Sequence, residues 1–263
     1  MAVYHFHNDY HIGDCILSLR FFYSIANNLK EKNILIKFYY NESYIKEYVK
    51  ELKCYTVSGI IELYPTSIKP SESRHLWMGL PIDGTRYHDW SIYFELQYKN
   101  ISKILSLNLA DINCSLWLSE EYLLDNYTKL TESCKDIDIL IINSAACSGQ
   151  YTRDRSDMDT LCRYFDTSYN IITTRKVDNI KCTLDYDLRI QDIAAIATHA
   201  KYVIAIFTGP VCGLFNIQTK SVIKKWFFIK SYNEPCNISD LNYHTIYNGN
   251  LTPIYDYFKA IRH

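Results

Sequence analysis

The residues His7-Asn-Asp-Tyr-His-Ile-Gly-Asp14 set ionisable groups directly ahead of an amphipathic helix predicted over 15–30. Asp14 stands where that helix begins, and a carboxylate there is placed to act as a general base, taking a proton from a reacting hydroxyl. His11 and Gly13 share its loop. The same segment holds His5-Phe-His7, a spacing that puts both rings on one face of a strand and offers a metal two nitrogen ligands. A metal-dependent hydrolase or phosphoesterase built on that pair needs more His and acidic ligands further along. The other histidines, His75, His88, His199, His244 and His263, show no paired spacing.

Three later stretches suit an anion. In Phe207-Thr-Gly-Pro-Val-Cys-Gly, an apolar run ends at Thr208, Gly209 and Pro210, where glycine allows close backbone approach and proline fits a first helical turn. The loop 143–155 carries Ser144, Ser148, Gly149, Arg153 and Arg155, which offer hydroxyls, a glycine and guanidiniums, although Asp154, Asp157 and Asp159 equally suit a solvated helix start. Thr173-Thr-Arg175-Lys176 closes another apolar run and could reach a phosphate or ribose. Asp136-Ile-Asp138, Asp157-Met-Asp159 and Asp185-Tyr-Asp187 have the Asp-x-Asp form of a metal site.

Alternating elements must position these groups. Strands are expected over 2–7, 33–40 and 59–63, with helices over 15–30 and 42–52 between them. Ile16, Leu19, Phe22, Ala26 and Leu29 mark the apolar face of the first helix. Residues 64–90 read as a long loop, followed by helix within 91–107, a brief extended piece over 116–118 and a helix over 120–133. The polar stretch 129–136 reads as a linker. Beyond it, the pure apolar run 137–143 predicts a strand buried on both faces. Strands over 170–174, 179–183, 202–207 and 226–229 alternate with helices over 156–165 and 188–200, the latter capped by Asp187, and a helix over 253–261 closes the chain. Strand–helix alternation implies parallel sheets with crossover helices, an α/β protein. The domains are expected at 1–132 and 133–263, with the closing helix free to pack back on the first.

Composition narrows the function classes. The 263 residues carry 28 Lys and Arg against 29 Asp and Glu, so no global field draws the chain to nucleic acid or to a membrane surface. Nine cysteines without a Cys-x-x-Cys pair indicate free thiols in a reducing compartment. No basic, apolar leader begins the chain and no run reaches membrane-span length, so the expectation is a soluble, cytoplasmic protein without stable membrane insertion.

His11-Ile-Gly-Asp14 followed by an apolar helix resembles the opening of the heptosyltransferase-like glycosyltransferases, glycosyltransferase family 9. Ile139 to Ala146 is similar to that family's strand and Asn-Pro-Gly-Ala-type loop, with Ser144 and Ala145 in place of Pro-Gly. Ile190 to Asn216 is similar to its small-residue helix, buried strand and Ser-Gly-Pro-type turn, with Phe207 where an acidic residue is usual and Cys212 where a histidine is.

The resemblance implies a GT-B fold of two facing Rossmann-like domains, acceptor side first and nucleotide-sugar side second. It makes Asp14 the base of an inverting displacement and puts Thr208 and Gly209 in the donor diphosphate site. The expected partners are a nucleotide-sugar donor and a glycan, glycolipid or other hydroxyl acceptor, with no metal or other cofactor. Trp77 and Trp90, in a stretch that also holds Arg74, His75, Arg86 and His88, are the acceptor-side candidates with His11 and Gly13, because aromatic rings stack on sugar faces. The rival readings are the His5-x-His7 hydrolase, a GT-A glycosyltransferase using an Asp-x-Asp, and a non-catalytic nucleotide-sugar-binding protein.

Overall fold

A computed structural model describes residues 1–76, 89–144, 156–231, 237–247 and 249–261. The chain divides into two compact units, Met1–Glu120 with Phe215–Ile217 and Pro235–Asp240, and Glu121–Leu214 with Gln218–Glu234 and Leu241–His263.

The first unit is built on β1 (Ala2–Asn8), α1 (Ile12–Ser24), α2 (Ala26–Glu31), β2 (Ile34–Tyr40), α3 (Glu42–Ile45), α4 (Val49–Lys53), β3 (Ile61–Pro65), β4 (Arg74–His75) and α5 (Trp90–Ile104). Its sheet runs β3-β2-β1-β4 with every pair parallel, so the carboxyl ends of the strands share one edge. The register sets Asn8 beside Tyr40, and His7 beside His75. β4 lies inside the stretch expected to be loop, and its two residues are too few to show a period.

The first helix departs from expectation in two ways. It breaks at Ile25, where the Ser24 hydroxyl donates to the Phe21 carbonyl at 2.7 Å, a side-chain bond that competes with the helix ladder. It is also buried all round from Gly13 to Phe22. On the side away from the apolar stripe lies Arg20, 1% exposed, whose Nε donates to Glu120 Oε1 at 2.8 Å and Nη2 to the Phe215 carbonyl at 2.6 Å. α5 packs alongside, its Tyr98 hydroxyl donating to the Leu17 carbonyl at 2.8 Å and its ring stacked on Phe21 at 4.2 Å. Asp89 caps α5 by accepting from Ser91 and Ile92 N–H, and its other oxygen accepts from Ser239 N–H at 3.0 Å. That bond ties residues 237–240 to the same unit.

The second unit holds α6 (Tyr122–Lys129), β5 (Ile139–Ile142), α7 (Ser156–Asp166), β6 (Ile171–Thr173), α8 (Ile190–Ala197), β7 (Tyr202–Ile206), α9 (Gly209–Cys212), α10 (Ile217–Val222), β8 (Lys225–Lys230), β9 (Tyr243–Tyr247) and α11 (Thr252–Ala260). The sheet order is β6-β5-β7-β8-β9, again all parallel. The fully buried β5 and β7 match their apolar runs. The strand expected over 179–183 is reduced to one bridge from Thr173 to Cys182, whereas the edge strand β9 is not among the expected strands although its Tyr, Thr and Ile residues favour one. Asp187 is not the cap of α8. It sits in the left-handed region at φ 49°, and Arg189 takes the cap position, its N–H donating to Asp192. Gly213 fits because a Cβ there would lie 2.6 Å from Ile190 Cγ2.

α6 belongs to this unit, where Gln191 Nε2 donates to Tyr122 Oη. α11, expected to be free to turn back on the first half, buries Ile254 and Phe258 in the second unit's own core with Phe165, Tyr202 and Phe227. The described cysteines are free thiols, all buried except the half-buried Cys54. No helix among the described residues is long and apolar enough to cross a membrane.

Removing one member of a buried ion pair strands the other without water, at about 3–5 kcal/mol. Arg20→Met is therefore expected to lower stability by about that amount in urea unfolding, and Arg20→Met/Glu120→Leu to recover much of the loss. A single variant as stable as the parent would show that the pair holds nothing.

Candidate active site

Parallel α/β sheets gather ligand-binding groups beyond the carboxyl ends of their strands, because helix N-termini and loops converge there. In the first unit that edge carries the β1–α1 loop. Asp14 lies in the first turn of α1, 7% exposed, and Gly13 is buried beside it. Burial, with Asp14 and Asp9 nearby, pushes the Cys15 thiol well up, and burial with Asp14 likewise raises the Tyr93 hydroxyl of α5. Tyr93 and Asp14 are thus electrostatic neighbours. His11 is the N-cap residue, half-buried, with its ring edge-on to the exposed Tyr44 at 5.1 Å, and burial lowers its pKa.

The histidines of β1 have separate fates. His5 Nδ1 bonds to the Tyr39 hydroxyl at 2.9 Å. His7 stacks on His75 at 4.8 Å between centroids, bonds through Nδ1 to Ser73 Oγ at 3.0 Å, and turns Nε2 to Asp9 Oδ2 at 3.4 Å. Burial, reinforced by the Lys69 ammonium and opposed by Asp9, brings His7 down to about 4, so the ring is neutral at pH 7. Both Asp9 oxygens lie 3.2 Å from Lys69 Nζ.

Trp90 is half-buried, its ring edge-on to Phe94 and Phe215 within the first unit. Trp77, Ser148, Gly149, Arg153 and Arg155 lie outside the described residues, as do Arg86 and His88.

In the second unit several candidates are committed to holding strand ends together. Asn143, fully buried after β5, accepts from the N–H of Thr174 and of Arg175 at 3.1 and 2.8 Å, and the Ser144 hydroxyl donates to Thr174 Oγ1 at 2.7 Å. Thr173 is buried and bonds to the Lys181 carbonyl. Arg175 pairs with Asp159, and Lys176 with Asp185 at 2.6 Å on the surface. Asp138 binds Lys201 and the Asn170 N–H, and Asp136 and Asp187 take left-handed backbone. Each Asp-x-Asp therefore has at least one member in structural use.

Thr208 differs. It ends the chain's exit from β7 at 5% exposure, and among the described residues its Oγ1 has no hydrogen-bond partner. Gly209 and Pro210 follow, half-buried, in the single-turn α9. Beside them is a group that sequence reasoning missed. The β7–β8 register sets Lys230 at the end of β8, 6% exposed, with Nζ 4.7 Å above the ring of the buried Phe207. The signal was present as a lysine closing the apolar run Trp226-Phe-Phe-Ile, at the same strand edge as Thr208.

No family model matches the sequence, and no curated protein matches it. Solved structures do match. E. coli heptosyltransferase WaaC with ADP superposes with a TM-score of 0.55 at 9% identity, covering 99% of this chain and 97% of that one. E. coli heptosyltransferase WaaC with ADP-2-deoxy-2-fluoro heptose gives 0.54 at 8% identity, covering 99% of both. The likeness is one of fold, the GT-B arrangement of two Rossmann-like α/β units.

A buried hydroxyl without a partner costs about 1–3 kcal/mol of desolvation, which an apolar group of the same shape avoids. Thr208→Val is accordingly expected to stabilise the ligand-free protein by about 1 kcal/mol in thermal or urea unfolding. A destabilised variant would mean that the hydroxyl is bonded after all.

Proposed function

We propose that this chain is a glycosyltransferase that moves a sugar from a nucleotide-sugar donor to a hydroxyl of a glycan, glycolipid or other acceptor by a metal-independent inverting displacement. The observation that carries the reading is Asp14, a buried carboxylate in the first turn of the helix that follows the first parallel strand. The fold shared with a heptosyltransferase solved with ADP and with an ADP-sugar supports it.

An alcohol is too weak an acid to ionise first, so its proton must leave as its oxygen attacks. Asp14 takes that proton while the acceptor oxygen bonds to the anomeric carbon and the bond from that carbon to the diphosphate breaks, inverting the centre. The electron pair departs with the nucleoside diphosphate. Negative charge grows there during the step, and fixed donors aimed at it lower the barrier. Thr208 Oγ–H, the Gly209 backbone and the Lys230 ammonium are the groups that meet it in this reading, which assigns neutralisation to the protein's own cation. His11 and Gly13 border the acceptor.

Asp14→Asn keeps shape and removes the base. It is expected to cut release of nucleoside diphosphate from a panel of nucleotide-sugars by about 100-fold or more, with transfer by the parent surviving EDTA. Stabilisation of Asp14→Asn by ADP or another nucleoside diphosphate in a thermal-shift assay should match the parent. Thr208→Val should lose part of that stabilisation instead. Full turnover by Asp14→Asn would sink the mechanism.

A further inference from the structure

The geometry points to a divalent metal site formed by His7, Asp9 and His75, which no pairing along the sequence reveals. One ligand atom from each of the three residues can be chosen so that all lie within 4.8 Å of one another. His7 and His75 are brought together by the parallel pairing of β1 with β4, which aligns them in register. Asp9 follows β1 directly.

The cluster has features that a chance meeting of side chains lacks. His7 Nε2 and Asp9 Oδ2 are 3.4 Å apart, close to the roughly 3.3 Å edge of a tetrahedron with metal–ligand bonds of about 2.0–2.1 Å. His75 is stacked on His7 with ring planes 10° apart, so metal binding requires it to turn about its χ2 until a ring nitrogen faces the same ion. His7 Nδ1 is held by Ser73 Oγ at 3.0 Å, the kind of outer bond that fixes the tautomer and aim of a ligating imidazole. The backbone is held too. Asn8, fully buried, donates from Nδ2 to the Leu76 carbonyl beside His75 and accepts from Tyr10 N–H at 2.8 Å, while Asn41 Nδ2 donates to the Asp9 carbonyl at 2.8 Å.

Two imidazoles and one carboxylate suit a borderline ion such as Zn²⁺, Co²⁺ or Fe²⁺ and leave at least one coordination position open for water or a ligand oxygen. Lys69 is the built-in competitor, since its ammonium pairs with both Asp9 oxygens. A divalent ion at bonding distance displaces it, so affinity is set partly by that lysine. His5 takes no part, because its Nδ1 is engaged with Tyr39. This site is separate from the diphosphate-binding role given to the second unit, and nucleotide binding measured in EDTA tests that role without it.

The test uses the full chain stripped with EDTA, dialysed, and titrated with Co²⁺ and Zn²⁺ by absorption and calorimetry. One ion per chain is expected, with Co²⁺ d–d bands and no thiolate charge-transfer band. His75→Ala, His75→Gln and Asp9→Asn should each weaken binding at least tenfold, Lys69→Met should tighten it severalfold, and His5→Ala should leave it unchanged. Circular dichroism and melting in EDTA identify any variant that fails to fold, and Lys69→Met, which loses only a half-exposed ammonium, keeps the test open in that event. Unchanged affinity in folded His75 or Asp9 variants, a thiolate band, or no saturable binding by the parent chain would overturn the assignment.

Discussion

A guanidinium buried in the middle of α1 constrains much of the first unit. Water can no longer solvate Arg20, so Glu120 and the Phe215 carbonyl must, and the three groups come from positions 20, 120 and 215. Gly13 to Phe22 is buried on every side, so close packing already resists rotation of α1 about its axis. The ion pair adds to that hold, because a rotated helix would leave a charge buried without a partner. Orientation of α1 in turn sets the direction in which Asp14, at its first turn, presents its carboxylate. The catalytic geometry proposed for this chain therefore depends on a charge six residues further along the same helix.

The parallel sheets were legible because their strands are apolar runs or β-rich segments separated by helical periods, and that signal is local. The strands at 2–8, 34–40, 139–142 and 202–206 follow from it closely. What stayed illegible depends on distant partners. Arg20 sits in an otherwise apolar helix with nothing nearby to mark its acceptors. β4 exists because residues 74 and 75 meet β1, not through a pattern of its own, and β9 pairs with β8 to complete an edge. Asp187 had the right residue type for a cap, but the left-handed turn it occupies moves the start of α8 two residues on to Arg189.

Site residues divide along the same line. Residue type pointed to Ser144, Thr173, Arg175 and Lys176, yet hydroxyls and cations at strand ends are also what stitch parallel strands and loops together. Asn143 and Thr174 show how the demand arises. Where β5 and β6 stop pairing, backbone N–H groups at 143, 144, 174 and 175 need acceptors, and the two side chains supply them. The Ser144 hydroxyl joins this network, whereas Thr173 bonds to the Lys181 carbonyl and Arg175 and Lys176 pair with Asp159 and Asp185. Thr208 escapes because α9 begins at once, and its hydroxyl neither caps that turn nor finds another described partner.

Phe207 and Lys230 bear on how the second unit can meet an anion although an aromatic ring stands where the resembled family usually has an acid. An ammonium at 6% exposure has lost most of its hydration, and the Phe207 ring face, 4.7 Å away, returns part of it. In the proposed reading, Lys230 and Thr208 stand at the same strand edge, where a leaving diphosphate would meet both.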